Sequence, residues 1–220
     1  VDELNLLHSQ YPGLASTPVS IGVSGEGRDI WAIKVSDNPD TDEAEPEVLF
    51  DGLHHAREIM TLEMTLFFAR YLCENYGSDP LATYLVDNRE IWFIPIVNPD
   101  GYCYNETTYP SGGGMWRKNR RDNGDGSYGV DLNRNWGFQW AKYANSSSSG
   151  SSEVYHGSGP FSEPETQVMR EFFNAHEFTV AVNMHAYGNF YNYPMGVYQI
   201  NGCPDNPIYE DVVGNIAPEI

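Results

Sequence analysis

Residues 47–60 read EVLFDGLHHAREIM and predict a strand, a polar corner and the start of a helix in direct succession. The apolar run Val48-Leu49-Phe50 is typical of a buried strand, and it stops at the polar stretch 51–55. Apolar residues then recur at helical spacing, which predicts a helix after the corner. They are Met60, Met64, Phe67, Phe68, Tyr71 and Leu72. A buried strand that leads directly into a helix is typical of an α/β architecture.

Further elements are predicted on both sides of this unit. Before it, residues 17–37 alternate apolar and polar side chains around a glycine-rich turn, which predicts a β-hairpin. After it, the apolar run 91–97 predicts another buried strand, which ends at the strong turn signal Asn-Pro-Asp-Gly, residues 98–101. Residues 102–159 are rich in Gly, Asn and Ser and are interpreted as mostly loop, and such long loops are usually functional or disordered.

Regular structure is expected to resume at residue 162. The segment Ser-Glu-Pro-Glu at 162–165 predicts a capping box with a proline in the first helical turn, so a helix should extend to about Ala175. Residues 178–184 alternate as a strand that delivers His185, and residues 207–220 predict a last helix. Strands alternating with helices, together with the initial hairpin, predict an α/β protein with a mixed, partly parallel sheet.

The composition excludes several classes of protein. The chain has 220 residues, 40% of them hydrophobic and 20% charged, so it is long and apolar enough for one globular domain. No apolar run approaches the roughly 20 residues that cross a bilayer, so we expect no membrane span. Twelve Lys and Arg against 31 Asp and Glu give a net charge of −19, whose field would repel a phosphate backbone. We therefore expect no nucleic-acid partner.

The cysteines and the amino terminus bear on the compartment. Cys73, Cys103 and Cys203 can form at most one disulfide, and Cys73 falls in an apolar helical pattern where a buried free thiol is expected. The amino-terminal VDELNLL is not a signal peptide, so either none existed or it has been removed. An acidic, lysine-poor surface would suit a secreted protein, and we predict an extracellular location.

Polar residues at two predicted strand ends could bind a metal. His55 and Glu58 are three residues apart at the strand-to-helix corner, a spacing that brings both side chains to one point. Alone, this pair is also typical of an ordinary helix amino terminus, and a single strand histidine such as His185 is more often a core residue. Together the three residues make a His₂Glu set, the ligand count of a catalytic zinc with one open position.

Basic residues concentrate in the long loop region. Five of the twelve lie between positions 117 and 134, and Lys142 lies just beyond. They are Arg117, Lys118, Arg120, Arg121 and Arg134. One interpretation is local neutralisation of surface acids. The other is that guanidinium groups bind a substrate carboxylate bidentately and polarise a carbonyl.

Six motifs, in this order, resemble those of the zinc metallocarboxypeptidases of the carboxypeptidase A/B and bacterial carboxypeptidase T type. They are H-x-x-E, N-P-D-G, W-R-K-N-R, D-L-N-R-N-W, the S-E-P-E helix start and the strand histidine. The resemblance extends from about Thr17 to the end of the chain. It implies an α/β/α sandwich with a mixed, mostly parallel twisted sheet, and an exopeptidase that hydrolyses the C-terminal peptide bond of peptides and proteins.

The resemblance assigns roles at the metal centre. His55, Glu58 and His185 match the ligands of one Zn²⁺ ion, a set known for carboxypeptidase A. Asp131 matches the carboxylate that hydrogen-bonds a ligand histidine and fixes its tautomer. Arg117 matches the catalytic arginine that stabilises the oxyanion of the tetrahedral intermediate.

It assigns substrate-binding roles as well. Asn133 and Arg134 match the pair that holds the terminal carboxylate of the substrate. Arg57 and Tyr187 match residues that line the subsites for the preceding peptide units. Gly196 falls where the family lines the pocket for the terminal side chain, and a glycine there resembles the branch that prefers apolar side chains.

The chain also departs from the family pattern. The resemblance implies a general-base glutamate and a capping tyrosine well after the second histidine, but the sequence ends 35 residues after His185. Glu210 and Glu219 lie in a predicted helix and match neither role. We therefore expect residues 1–220 to be a single catalytic domain that lacks its C-terminal part and last strands. The alternative is a non-catalytic zinc- and carboxylate-binding domain. A third interpretation, hydrolysis of other amides in cell-wall peptides, fits W-R-K-N-R and D-L-N-R-N-W less well.

A second metal is also considered. Residues 122–126 read DNGDG and resemble the start of a calcium loop, and some bacterial relatives bind structural Ca²⁺. The twelfth position, however, is Asn133 where a calcium loop has glutamate, so an ordinary Asn-Gly turn competes with this interpretation. The expected partner is the C-terminus of a peptide or protein substrate. The protein itself is predicted to be a monomer.

Overall fold

The structure is a computed structural model that describes residues 1–142, 145–188, 191–193 and 204–213. In this part, five strands form one sheet: β1 (Val19–Val23), β2 (Asp29–Val35), β3 (Glu47–Asp51), β4 (Glu90–Ile94) and β5 (Phe178–Asn183). The α-helices of the described residues are α1 (Asp2–Gln10), α2 (Ile59–Asn75), α3 (Pro80–Val86), α4 (Pro99–Thr108), α5 (Pro164–Ala175) and α6 (Asn206–Val213). None of these helices combines the length and the apolar character that crossing a bilayer requires.

The sheet is mixed, as the sequence predicts. Its strand order is β1-β2-β4-β3-β5. The hairpin β1–β2 and the pair β2–β4 are antiparallel, whereas β3 pairs in parallel with both β4 and β5. The interior position of β3, between β4 and β5, agrees with its sequence, because an uninterrupted apolar run can be buried on both faces.

Helices cover both faces, which confirms the α/β/α sandwich. On one face, Ile33 of β2 and Phe93 of β4 belong to a buried cluster with residues of α1, α2 and α3. On the other face, Ala32 of β2 and Ile94 of β4 cluster with residues of α5. Neighbouring residues of one strand enter opposite cores because side chains alternate along a strand. Cys73 is a buried free thiol, as predicted, and burial raises its pKa to about 12.

The predicted apolar face of α2 is partly wrong. Met60, Met64 and Phe67 are 61%, 50% and 63% exposed, whereas Thr61 and Thr65 are buried. The Thr61 hydroxyl donates to the Glu58 carbonyl at 2.8 Å, and the Thr65 hydroxyl donates to the Thr61 carbonyl at 2.7 Å. Buried threonines are tolerated here because their hydroxyls are satisfied by the helix backbone. The Thr61 hydroxyl also accepts the Leu53 N–H at 2.9 Å, which fastens the start of α2 to the corner that precedes it.

The Asn-Pro-Asp-Gly segment begins a helix, which corrects the prediction of a turn. Asn98 is the N-cap of α4, and its side-chain oxygen accepts a hydrogen bond from the Gly101 N–H at 2.9 Å. Pro99 occupies the first helical position, where its missing N–H costs nothing. The region predicted as mostly loop therefore starts with helix up to Thr108, and later contains one short 3₁₀ turn at Leu132–Arg134.

The helix predicted after residue 162 is present, but it is not held by a capping box. The Ser162 hydroxyl donates to the Glu163 carboxylate at 2.7 Å, and Glu163, as N-cap of α5, makes no side-chain cap bond. The Glu165 carboxylate instead accepts the Gly25 N–H of the β1–β2 turn at 3.1 Å. The last predicted helix is present as α6, and its predicted extension over 214–220 lies outside the described residues.

Candidate metal centre

The candidate site lies at the carboxyl ends of β3 and β5. The two strands are parallel and pair Asp51 with Asn183, so the segments that follow them emerge at the same edge of the sheet. The segment after β3, residues 52–58, is called the corner loop below. Gly52 starts it against α2, where a Cβ atom would lie 2.9 Å from the Thr61 carbonyl oxygen. No larger side chain fits there, and the corner loop therefore turns tightly into α2.

Three donor groups converge between these strand ends. The Nδ1 atom of His55 lies 2.7 Å from Glu58 Oε1 and 3.1 Å from His185 Nδ1. His185 Nδ1 lies 2.9 Å from Glu58 Oε2. His55 and Glu58 are buried, and the His185 side chain is 31% exposed. The structure thus brings together all three residues that the sequence selected as metal ligands.

The His55 ring is fixed from its other side by Asp131. The Asp131 carboxylate lies 3.1 Å from His55 Nε2 and is completely buried. A carboxylate can only accept, so it places the ring proton on Nε2 and leaves a lone pair on Nδ1. That lone pair faces the Glu58 carboxylate at 2.7 Å. Two acceptors this close repel each other unless a proton or a metal cation lies between them.

The donor set is suited to zinc. Two imidazole nitrogens and one carboxylate leave one of four tetrahedral positions open. Donor atoms around tetrahedral zinc are separated by about 3.3 Å, which follows from zinc–ligand bonds near 2.0 Å. The observed separations of 2.7, 2.9 and 3.1 Å are shorter by a few tenths of an ångström. A small outward movement of the side chains is enough to accommodate the ion.

The pKa shifts of these residues also favour a cation within the donor group. Burial acts to raise the pKa of Glu58, but hydrogen bonds from His185 and His55 hold that pKa well below its usual value. Burial acts to lower the pKa of His55, but the Asp131 and Glu58 carboxylates raise it. Burial also acts to raise the pKa of Asp131, which its contacts with His55 and Arg117 lower. Each shift favours positive charge between the two carboxylates.

Arg117 stands beside this group. Its Nη2 donates to Asp131 Oδ2 at 2.9 Å, and its Nη1 lies 3.7 Å from Glu58 Oε1. The Arg117 carbonyl accepts the Ala56 N–H of the corner loop at 3.0 Å. The guanidinium is 13% exposed, so it is mostly desolvated and its hydrogen-bonding direction is fixed. A carbonyl oxygen near the donor group would meet a preformed positive charge.

The residues with predicted substrate-binding roles lie on the open side. Asn133 Nδ2 is 3.4 Å from His185 Nε2. Arg134 donates from Nε to the Asn145 carbonyl at 2.7 Å and from Nη1 to the Asn133 carbonyl at 3.0 Å. These contacts with backbone carbonyls anchor one edge of the Arg134 guanidinium.

Arg57 and Tyr187 are the other described residues with predicted substrate-binding roles. Arg57 Nη1 lies 3.8 Å from Glu153 Oε2. Tyr187 is fully exposed. Gly196 lies outside the described residues.

Most other basic residues of the long loop region bind within the protein. Lys118 is buried and donates to the Gly150 carbonyl at 2.7 Å. The Arg120 guanidinium carbon lies 3.7 Å from the centre of the Tyr104 ring, and Arg121 pairs with Glu163 at 2.9 Å. Neutralisation of an acid therefore describes Arg121, whereas Lys118 binds a carbonyl and Arg120 an aromatic ring. Arg117 is the basic residue of this set that lies beside the donor group.

The sequence analysis missed a second buried polar group at the same strand ends. The Asn183 amide lies 2.8 Å from His54 Nδ1 and also donates to the Asp51 carboxylate. Burial lowers the pKa of His54 to about 3 and raises that of Asp51 to about 7. The adjacent histidines 54 and 55 were a signal for this group. Neighbouring side chains point to different sides, so His54 cannot share the partners of His55 and needs its own.

The possible calcium segment forms an ordinary turn. Asp122 Oδ1 accepts the Gly124 N–H at 2.8 Å, and Asp125 Oδ1 accepts the Ser127 N–H at 2.9 Å. Both carboxylates are thus used by the local backbone, as in Asx turns. These contacts favour the alternative that the sequence left open, an ordinary Asn-Gly turn.

The fold is an α/β/α sandwich with a His-Glu-His donor set at the carboxyl edge of its sheet, so the protein is of the α/β class with a candidate site for one metal ion. A family profile described as zinc carboxypeptidase matches residues 1–219. The chain belongs to the zinc carboxypeptidase family.

Individual relatives and solved structures agree with this assignment. A zinc carboxypeptidase of Saccharothrix mutabilis subsp. capreolus is 48% identical over 140 residues, or 64% of this chain and 31% of its own. Carboxypeptidase A2 of Rattus norvegicus is 36% identical over 88% of this chain and 45% of its own. The crystal structure of carboxypeptidase A from Helicoverpa armigera matches 96% of this chain and 49% of its own, with a TM-score of 0.79 and 33% identity. The chain thus spans about half the length, or less, of the relatives it matches.

Proposed function

We propose that the protein is a zinc-dependent exopeptidase that hydrolyses the C-terminal peptide bond of peptides and proteins. The observation that carries the proposal is the convergence of His55, Glu58 and His185 with Arg117 beside them. The zinc carboxypeptidase relatives support it, although the chain spans only part of their length. Residues 1–220 would form a single zinc carboxypeptidase-like catalytic domain.

In this proposal His55, Glu58 and His185 hold one Zn²⁺ ion. When bound, zinc supplies Lewis acidity, which polarises a carbonyl and makes water a better nucleophile at neutral pH. Asp131 keeps the proton of His55 on Nε2, so that Nδ1 stays available as a donor atom.

Arg117 and its neighbours would act on the substrate. Arg117 directs a desolvated guanidinium to where negative charge develops on the carbonyl oxygen of the scissile bond. Asn133 and Arg134 bind the terminal carboxylate, and this contact selects chain ends rather than chain interiors. The reaction also needs a general base that takes the proton of the attacking water and passes it to the leaving amine, and none of the residues assigned above has this role.

The remaining substrate contacts follow the family resemblance. Arg57 and Tyr187 would line the subsites for the preceding peptide units, and Gly196 the pocket for the terminal side chain. A glycine in this pocket supports a preference for substrates whose C-terminal residue has an apolar side chain.

The decisive experiment compares a peptide that ends in a free carboxylate with the same peptide ending in an amide. Zinc-loaded whole protein should cleave the free-carboxylate peptide at least 100-fold faster, by kcat/KM. Arg134→Ala should remove most of this preference, whereas Arg121→Ala, whose arginine pairs with Glu163 within the fold, should keep it. An unchanged preference in Arg134→Ala would contradict the assigned carboxylate site.

The non-catalytic alternative gives a different result in the same experiment. A domain that only binds would take up one zinc ion and retain peptides with free carboxylates, but it would release no amino acid. Nothing in the relatives favours this alternative, since those reported above are named as carboxypeptidases.

Three finer properties stay predictions. An extracellular location is supported by the acidic, lysine-poor composition, which has 31 acidic residues and only 12 Lys and Arg. A monomer is expected, and light scattering of the 220-residue chain should then give 24.8 kDa. Structural Ca²⁺ is kept as a prediction, and a rise in Tm on adding calcium to the zinc-loaded protein would support it.

A further inference from the structure

We propose that Asn105 is a positioning residue, which sets the location of Arg117 relative to the metal-ligand residues of the corner loop. The inference rests on the proposed function for the role of Arg117. It concerns two segments, the corner loop (52–58) and the segment 115–121, called the arginine loop below. Asn105 lies in α4, the helix that starts at the Asn-Pro-Asp-Gly motif, and touches neither the donor atoms nor the Arg117 guanidinium.

The carboxamide of Asn105 joins the two loops. Its Nδ2 donates to the Ala56 carbonyl at 3.2 Å and to the Trp116 carbonyl at 2.9 Å. Its Oδ1 accepts the Trp116 N–H at 3.0 Å. Ala56 directly follows the candidate ligand His55, and Trp116 directly precedes Arg117. One buried amide, 6% exposed, therefore binds the backbone on both sides of the reacting groups.

The surface of α4 is shaped to receive both loops. A Cβ atom on Gly101 would lie 2.5 Å from the Lys118 carbonyl oxygen and 2.7 Å from the Ala56 Cβ. A Cβ atom on Gly114 would lie 2.6 Å from Asn105 Oδ1. The helix and both loops thus touch at distances that only glycine permits. Asn98 adds a bond from the start of α4 to the His54 carbonyl, at 3.0 Å.

The two loops share one direct backbone bond at this place, from the Ala56 N–H to the Arg117 carbonyl, at 3.0 Å. A single bond can act as a hinge, whereas Asn105 adds contacts on either side of it and removes that freedom. Orientation is what matters for Arg117, since its Nη1 lies 3.7 Å from Glu58 Oε1 and must meet charge that develops only in the transition state. A displacement of about 1 Å can cost on the order of 100-fold in rate.

The first test needs no catalytic activity. We would measure hydrogen exchange of single amides by NMR in Asn105→Ala, using core amides of β4 as the reference for global unfolding. The Ala56 N–H should exchange at least tenfold faster relative to that reference, although Asn105 does not bind this N–H. Acceleration confined to Trp116, whose N–H loses its own acceptor, would overturn the proposal.

Matched variants guard against a general loss of stability. Gly114→Ala should reproduce the effect, because its new methyl group pushes against the Asn105 amide. Gly13→Ala, where a Cβ meets nothing within 4 Å, should not. Asp79→Ala, which removes the N-cap bonds of α3 to Leu81 and Ala82, should lower the Tm and leave the Ala56 exchange ratio within threefold of the original.

The second test is a kinetic double-mutant cycle in the zinc-loaded whole protein. Asn105→Ala should retain one zinc per chain, lower kcat at least tenfold and change KM less than threefold. In an Arg117→Ala background the same substitution should change kcat less than twofold, because the residue through which it acts is gone. Additive losses would overturn the proposal. If the unsubstituted protein binds zinc without cleaving peptides, the proposed function fails, and the exchange experiment still decides whether Asn105 positions Arg117.

Discussion

His55 and His185 face the same point, yet the protein holds them in different ways. His55 is 3% exposed, and its two ring nitrogens meet the Glu58 and Asp131 carboxylates. Its loop is fastened to α2 by Thr61 and to α4 by its backbone contacts. The His185 side chain is 31% exposed and follows β5, which in the described residues pairs only with β3. One half of the centre is built into the core, and the other stands at the edge of the sheet.

The difference separates two tasks. The His55 side fixes donor atoms in advance, so a metal ion that arrives there does not have to order them. The His185 side is open to solvent, which is where a substrate and water must enter if the fourth metal position is to be used. Substitutions of the two histidines should therefore have different effects on the stability of the metal-free protein, even where they weaken zinc binding equally.

The largest expected effect is the loss of a ligand. His55→Ala and His185→Ala should each weaken zinc binding at least 1,000-fold in a calorimetric titration. In EDTA, His55→Ala should also lower the free energy of unfolding by about 3 kcal/mol, because it removes the imidazole that lies between the buried Glu58 and Asp131 carboxylates. His185→Ala should cost less than about 1 kcal/mol there, since its contacts are partly exposed. Equal losses of stability in EDTA would remove the distinction between the two sides.

The next effect concerns the partners of the two histidines. Asp131→Asn should weaken zinc binding about 10- to 100-fold, because an amide no longer fixes the proton on His55 Nε2. Asn133→Ala removes only a 3.4 Å contact with His185 Nε2, and should change the zinc Kd less than threefold. If Asn133→Ala weakened zinc binding more than Asp131→Asn, the His55 side would not be the more strongly preorganised half of the centre.

The last expected effect is a pH dependence of stability, and it concerns the contacts between the arginine loop and the start of α5. Asn119 of that loop donates to the Glu163 and Glu165 carboxylates at 2.8 and 3.1 Å. Burial raises the pKa of Glu165 from 4.5 to about 6. In this pH interval the folded protein retains a proton that the unfolded chain has released. The contribution of Glu165 to stability is therefore largest below pH 4.5 and falls as the pH rises to about 6.

Glu165→Gln should remove this dependence. Glu165→Gln can lower the free energy of unfolding by a constant amount at every pH. As the pH rises from 4 to 7, however, the free energy of unfolding of the variant minus that of the unsubstituted protein should rise by about 2 kcal/mol. Urea unfolding at several pH values measures this difference. The exposed Glu171→Gln on the same helix is the control. Parallel stability curves for Glu165→Gln and the unsubstituted protein would show that Glu165 does not titrate as its burial implies.

The sequence was most informative where side-chain periodicity and element ends coincide. The hairpin, the buried strands β3 and β4 and the span of α5 follow from alternation, apolar runs and a proline in the first turn. His55, Glu58 and His185 could be selected because spacing and strand ends restrict where side chains meet. That β5 lies next to β3 could not be derived, since no local pattern specifies which strands pair.

Other features depend on contacts that a hydrophobic pattern does not encode. Thr61 and Thr65 face the interior because the backbone satisfies their hydroxyls, which reverses part of the expected face of α2. Asn98 changes a turn signal into a helix start by capping it. Lys118 is buried with its ammonium group donating to the Gly150 carbonyl. In each case a distant or backbone partner overrides the preference of the residue itself.

The tight contact of Asn105 with both loops leaves the connection from the end of α4 to the arginine loop free of such demands. Residues 109–113 are exposed, and a Cβ on Gly112 or Gly113 would meet nothing within 4 Å. For protein engineering, this stretch is an insertion site: we expect a peptide tag or a small reporter domain placed between Gly112 and Gly113 to leave the candidate metal centre unaltered. The same insertion three residues later, before Trp116, would separate the arginine from its helix.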